Sequence, residues 1–129
     1  MLNLINDERE SLKPEQNSII DERTQFEIYF APFEAAIEAG VGAAVCSLNK
    51  VNGVHSCQNK DLLTHKLRNI LGFEGFVMSD WNAIQGPPQS YVEAGCDQEM
   101  NHVRFFNYEN IKQGLSQQQI DQSVSRIVR

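Results

Sequence analysis

Nowhere does this chain carry an apolar run near the ~20 residues that would cross a bilayer, and no lysine and arginine cluster stands out against its net charge of −6. A membrane and a nucleic acid are therefore not expected as partners. The glycines are dispersed and form neither GxGxxG nor GxxxxGK, so no phosphate cradle and no nucleotide cofactor are implied. Internal repeats and low-complexity segments are missing as well. Cysteine is scarce: Cys46, Cys57 and Cys96 lack CxxC spacing, and an odd number cannot all pair within the chain. Cys46 and Cys57 flank one loop and either form a disulfide, as in a secreted protein, or remain buried thiols. His55, His65 and His102 show no metal-ligand spacing, so no metal is expected. The amino terminus carries Asn, Asp, Glu and Arg where a signal peptide would have an apolar core, and the compartment stays unread.

What is present is an alternation of helical and strand patterns across 129 residues, enough for one domain. Residues 7 to 18 are rich in Glu, Ser, Pro and Asn and predict an exposed connection. A helix is predicted from Thr24, where Thr24-x-x-Glu27 has capping-box spacing, with Phe26, Tyr29, Phe30, Phe33 and Ile37 at helical intervals and Pro32 bending or dividing it. Gly40 closes that helix, Val41 to Cys46 reads as a short strand, and Ser47 to Gln58 as a loop. Lys60 to Leu71 predicts a helix with Leu63, Leu67, Ile70 and Leu71 on one face, stopped by Gly72. After the Gly86-Pro87-Pro88 loop come a short helix through Tyr91 and Val92, a last strand near Cys96 to Met100, and two closing helices. The final one has the capping box Ser116-x-x-Gln119 and Ile120, Val124 and Ile127 on a face to bury. Such alternation with short connections indicates parallel βα units wound in one direction.

The segment Gly75-Phe76-Val77-Met78-Ser79-Asp80-Trp81 is the most informative. An unalternating apolar run bounded by glycines suits a strand covered on both faces, and parallel strands of that kind present working residues at their carboxyl ends. Asp80 stands there. An acid at that place either carries chemistry or caps the following loop. Trp81 is either a core residue or a flat apolar face that stacks on a sugar ring or a base.

Four blocks resemble glycoside hydrolase family 3, closest to its β-glucosidase branch. They are Asp21-Glu22-Arg23-Thr24 with Glu27-Ile28-Tyr29, then Pro32 through Gly42, then Cys46-Ser47 with Asn49-Lys50-Val51-Asn52-Gly53, and then Gly72 through Trp81. In order and near family spacing, they cover about Asn6 to Arg129.

The resemblance implies an α/β fold, an incomplete (β/α)8 TIM-type barrel holding roughly the last three βα units, since a whole barrel takes about 250 residues. Residues 1–129 would then form part of the amino-terminal barrel domain. It also implies a retaining glycosidase with Asp80 as catalytic nucleophile and Trp81 lining the sugar subsite. Where the family reads Met-Cys-Ser-Tyr-Asn, this chain has Val45-Cys46-Ser47-Leu48-Asn49, which puts Val45 and Leu48 at the substrate-facing methionine and tyrosine positions. The family's Lys-His pair belongs just before Leu2, with Met1 at the histidine's place, and its acid/base glutamate comes from a later domain. Asp97 and Glu99 are the nearest local carboxylates that could stand in for that acid. The partners implied are a β-glucoside or oligosaccharide and the remainder of the enzyme. The other reading, open beside this one, is a truncated non-catalytic remnant or a carbohydrate-binding or interaction fragment. As an isolated chain it is expected to be inactive.

Overall fold

A computed structural model describes residues 3–4, 16–100 and 102–129. Most of the connection predicted at residues 7 to 18, and Met1 and Leu2, lie outside the described residues. Three strands, β1 (Asn3–Leu4), β3 (Ala43–Cys46) and β6 (Phe76–Ser79), form a parallel sheet in the order β1-β3-β6. Val45 pairs with Asn3 on one side and Met78 on the other, and Cys46 with Leu4 and Ser79. A single parallel bridge from Met78 to Gln98 continues that order, in place of the full strand expected over Cys96 to Met100. Asp97 explains the shortfall, because its side chain accepts the Val77 N–H at 2.9 Å where another backbone carbonyl would lengthen a ladder.

Helices link the strands. Asp21, not Thr24, caps the first: its Oδ1 accepts the Thr24 N–H and its Oδ2 the Thr24 hydroxyl. Glu22–Thr24 runs into the wider-wound Gln25–Tyr29, where the Phe30 N–H reaches the Gln25 carbonyl at 2.8 Å. Ala31–Glu38 follows with Pro32 in its opening turn, a division at the place the proline predicts. The Asp61–Ile70 helix buries Leu62, Leu63, Lys66 and Leu67, whereas Ile70 is exposed. The polar member of that face is paired: Lys66 Nζ donates to Gln25 Oε1 at 3.0 Å and Asp61 Oδ2 at 2.6 Å. Pairing is what makes a buried ammonium tolerable.

Ser47 to Gln58 is more ordered than a loop. β4 (Lys50–Val51) and β5 (Val54–His55) form a hairpin around Asn52-Gly53, both at positive φ, and β4 also pairs in parallel with β2 (Asn17–Ser18). Asn-Gly is the usual sequence of such a turn, because both central residues of a type I′ hairpin need positive φ. Cys46 and Cys57 then close the segment with a disulfide, resolving the two cysteine readings, and Cys96 stays a buried free thiol. Burial pushes the Cys96 thiol up to about 12.

Helices Pro88–Ala94, Tyr108–Gly114 and Gln117–Ile127 complete the chain. Ser116 and Gln119 form the reciprocal cap that their spacing predicts. The apolar face of the last helix is not the one that docks, for Val124 and Ile127 are 50% and 42% exposed while Ser123 is buried. The core lies on the helix side of the parallel sheet, where Ala44, Cys46 and Val77 meet Phe30, Phe33, Leu63, Leu67 and Tyr91. Gly75 lets β6 start close to β3, since a Cβ there would fall 2.2 Å from the Gly42 carbonyl oxygen.

Candidate active site

β6 ends by handing the chain across to β3. The Asp80 N–H donates to the Cys46 carbonyl at 2.9 Å, extending the ladder by one bond, and the Ala83 N–H returns to the Asp80 carbonyl at 3.1 Å. The backbone of Asp80 is thus fixed at the carboxyl edge of the sheet. Its side is set by the two-residue period of a strand: Asp80 follows Met78, which pairs with Val45, and both face away from the core formed by Ala44, Cys46 and Val77.

Asp80 is half-buried, and its Oδ1 accepts the Trp81 N–H at 2.6 Å. Trp81 is 63% exposed, which removes the reading of a core tryptophan and leaves an indole in solvent beside an acid. The loop that carries it is anchored just beyond, with Ala83 and Ile84 buried and the Gln85 N–H donating to the Tyr91 hydroxyl at 2.9 Å. Of the other two predicted residues, Val45 is buried on the Asp80 side and Leu48 is half-buried against the core cluster. The structure therefore brings Asp80, Trp81 and Val45 to one edge. Leu48 leans inward.

Ser79 does more than fill the strand. Its Oγ accepts the Met100 N–H at 2.9 Å, and its own N–H meets the Gln98 carbonyl at 2.9 Å, so the segment after Cys96 is held beside the acid. The two local carboxylates that follow are committed elsewhere. Asp97 has a fully buried side chain whose Oδ2 faces Arg68 at 2.8 Å and whose Oδ1 faces Arg126 at 2.8 Å and the Ser123 hydroxyl at 3.0 Å. Glu99 Oε2 accepts the N–H groups of Phe105 and Phe106, each at 2.8 Å. Burial draws the Arg68 guanidinium below its ordinary value while Asp97 beside it pushes back. No short-range spacing signals this network, since Arg68, Asp97 and Arg126 come from three separate parts of the chain.

A cleft of 760 Å³ opens at the other edge of the sheet, among Gly40, Val41, Gly42, Gly75, Phe76 and Arg126. Those residues precede or open β3 and β6 or come from the last helix, so the cleft lies a strand's length from Asp80. In parallel sheets chemistry gathers at the carboxyl edge, where Asp80 stands, and the cleft lies at the opposite edge.

This chain belongs to glycosyl hydrolase family 3: residues 10–129 match the model of the family's N-terminal domain. It is 46% identical over 84 residues to a β-glucosidase of Wickerhamomyces anomalus, an alignment spanning 65% of this chain and 10% of that protein. Its structure is similar to that of a β-D-glucoside glucohydrolase from Trichoderma reesei, with a TM-score of 0.86, 30% identity, and coverage of 98% of this chain and 19% of the other. It is also similar to DesR, a β-glucosidase from Streptomyces venezuelae solved with D-glucose, at a TM-score of 0.82 and 33% identity over 92% of this chain and 17% of that one. The chain spans between a tenth and a fifth of the length of these relatives.

Proposed function

We propose that this chain supplies the nucleophile of a retaining, β-glucosidase-like hydrolase, as roughly the last three βα units of an incomplete (β/α)8 barrel. The observation that carries the reading is the place of Asp80, held by backbone bonds at the carboxyl end of a parallel strand with an exposed indole next in the chain. In the double displacement, an Asp80 oxygen bonds to the anomeric carbon as the glycosidic oxygen departs with a proton from a second carboxyl group. Water then cleaves the glycosyl ester, delivering its proton to that same group. Trp81 stacks on the C–H face of the sugar and Val45 lines the floor beneath. Leu48, where the resemblance expects a tyrosine, supplies no hydroxyl to steady the nucleophile. D-glucose, bound in the Streptomyces venezuelae relative, is the sugar we expect in the subsite.

The second carboxyl must lie ~5 Å from the first in a retaining site. Asp97 and Glu99 are occupied by fixed donors, so we assign the acid to the remainder of the enzyme. A family 3 β-glucosidase in which this chain replaces the matching segment tests the role of Asp80. Asp80→Asn should lower turnover of an aryl β-glucoside by roughly 10³-fold or more, and retained turnover in a folded chimera would overturn the assignment.

One observation favours the second reading for the chain on its own, that of a non-catalytic interaction fragment. Val124 and Ile127 on the last helix and Val128 just after it are exposed, an apolar strip of the kind that seeks a partner. Purified alone, the chain is expected to show no turnover of the same glucoside.

A further inference from the structure

Cys46, Cys57 and Cys96 come from the end of β3, the short turn Ser56–Gln58 and the segment after the Pro88–Ala94 helix, yet their sulfurs meet. All three residues are between 0% and 1% exposed, and their sulfur atoms lie within 4.8 Å of one another. Two of them share the disulfide, and Cys96 Sγ stands 3.8 Å from Cys46 Sγ. Nothing in the chemistry assigned to Asp80 uses this cluster, and the chemistry open to the three sulfurs is independent of that assignment.

A thiol beside a disulfide suggests exchange, in which Cys96 would bond to Cys46 and release Cys57. Exchange asks the two sulfurs to close from 3.8 Å to a bond of about 2 Å, with Cys46 held in β3 and the Cys96 N–H held on the Tyr91 carbonyl. A shared cation leaves the Cys46–Cys96 spacing as it is and asks that the Cys57 sulfur move away from Cys46 once the bond between them is broken. Thiolate bonds to a metal such as zinc are about 2.3 Å long, and three of them around one ion set the sulfurs roughly 4 Å apart. Cys46 and Cys96 already have that spacing.

We propose that, once the Cys46–Cys57 disulfide is reduced, the three sulfurs form a three-thiolate site for a soft d10 cation such as zinc(II), copper(I) or cadmium(II). Reduction needs two electrons and two protons: a dithiol supplies both as it closes to its own disulfide, whereas a phosphine supplies the electrons and water supplies the protons and the oxygen of the phosphine oxide. The cation then displaces one proton from each of the three thiols and keeps its own charge. The segment Ser47 to Gln58, stapled covalently in the oxidised chain, is stapled by the metal in the reduced one. No local motif announces the site, since the ligands are contributed by three elements that only the fold assembles.

The test uses the full chain, reduced with a phosphine under argon, freed of reductant and titrated with cadmium chloride. We expect one equivalent to bind, with a thiolate-to-cadmium charge-transfer band of three-thiolate intensity, and the oxidised chain to take up none. Cys96→Ser should lose about a third of that band and weaken binding at least about tenfold, as loss of a metal-site group does. Cys96→Val serves as a second variant in case serine at the buried position weakens the fold. Equal affinity and band intensity in the wild type and both variants would overturn the proposal, as would equal uptake by the oxidised chain. If reduction alone unfolds the chain, cadmium must restore its circular dichroism in the wild type and fail to do so in the variants. Uptake without that recovery counts against a built site.

Discussion

Two aspartates border β6, Asp80 at its end and Asp97 beside Val77, and are treated in opposite ways. Asp97 is sealed from water, and its carboxylate accepts from two arginines, a serine hydroxyl and the Val77 N–H. Asp80 has its backbone fixed at the sheet edge and is half-buried beside an exposed tryptophan. The first arrangement saturates an acid so that it holds elements together. The second fixes an acid's backbone at the sheet edge and leaves the residue only half-buried. Neighbourhood, not residue type, separates the structural carboxylate from the candidate nucleophile.

The strongest response to disturbing this contrast should come from Asp97→Asn, which strands two arginines in or near the core. Breaking a buried pair costs about 3–5 kcal/mol, and urea unfolding should show a loss of that order or a chain that does not fold. Reduction of the Cys46–Cys57 disulfide in the absence of metal comes next. A closed loop of this length is worth about 2–4 kcal/mol, read as a lower denaturation midpoint. Ser116→Ala removes one side of the last helix's reciprocal cap and should cost about 1 kcal/mol in the same assay. Asp80→Asn should cost about 1 kcal/mol or less, because asparagine keeps an oxygen for the Trp81 N–H. A large loss there would mean that Asp80 is structural like Asp97, and would erase the contrast between them.

Smallest is the acid dependence at Asp21. Hydrogen bonds from the Thr24 hydroxyl and N–H hold its carboxyl below the ordinary 3.8. Its share of stability is therefore present above that value and lost as the pH falls through the lowered one. Asp21→Asn keeps a capping oxygen without a titration, so the difference between wild type and variant should fade in thermal melts taken below pH 3.8.

Much of the order of elements was legible from local patterns. The unalternating Phe76-Val77-Met78 run gives β6, Pro32 marks the break between two helices, and Ser116-x-x-Gln119 caps the last one. Turn chemistry at Asn52-Gly53 also carries a hairpin signal, though the segment reads as a loop when only its polarity is weighed. The buried polar groups were not legible. Lys66 belongs to a core-facing stripe only because Gln25 and Asp61 reach it, and Ser123 docks the last helix because it meets Asp97. Both depend on partners far along the chain, which hydrophobic periodicity does not encode. The candidate site divides the same way: Asp80 and Trp81 follow from one contiguous motif, whereas the commitment of Asp97 and Glu99, and the meeting of three cysteines, emerge only in space.

Trapping is the sharpest test of the claim that Asp80 attacks the sugar. A chimera carrying this chain in a family 3 β-glucosidase is treated with a 2-deoxy-2-fluoro-β-glucoside bearing an activated leaving group, and the labelled peptide is mapped by mass. The predicted result is one glycosyl adduct on the peptide that contains Asp80, lost in Asp80→Asn. An adduct on another carboxylate, or one that persists in the variant, would refute that claim.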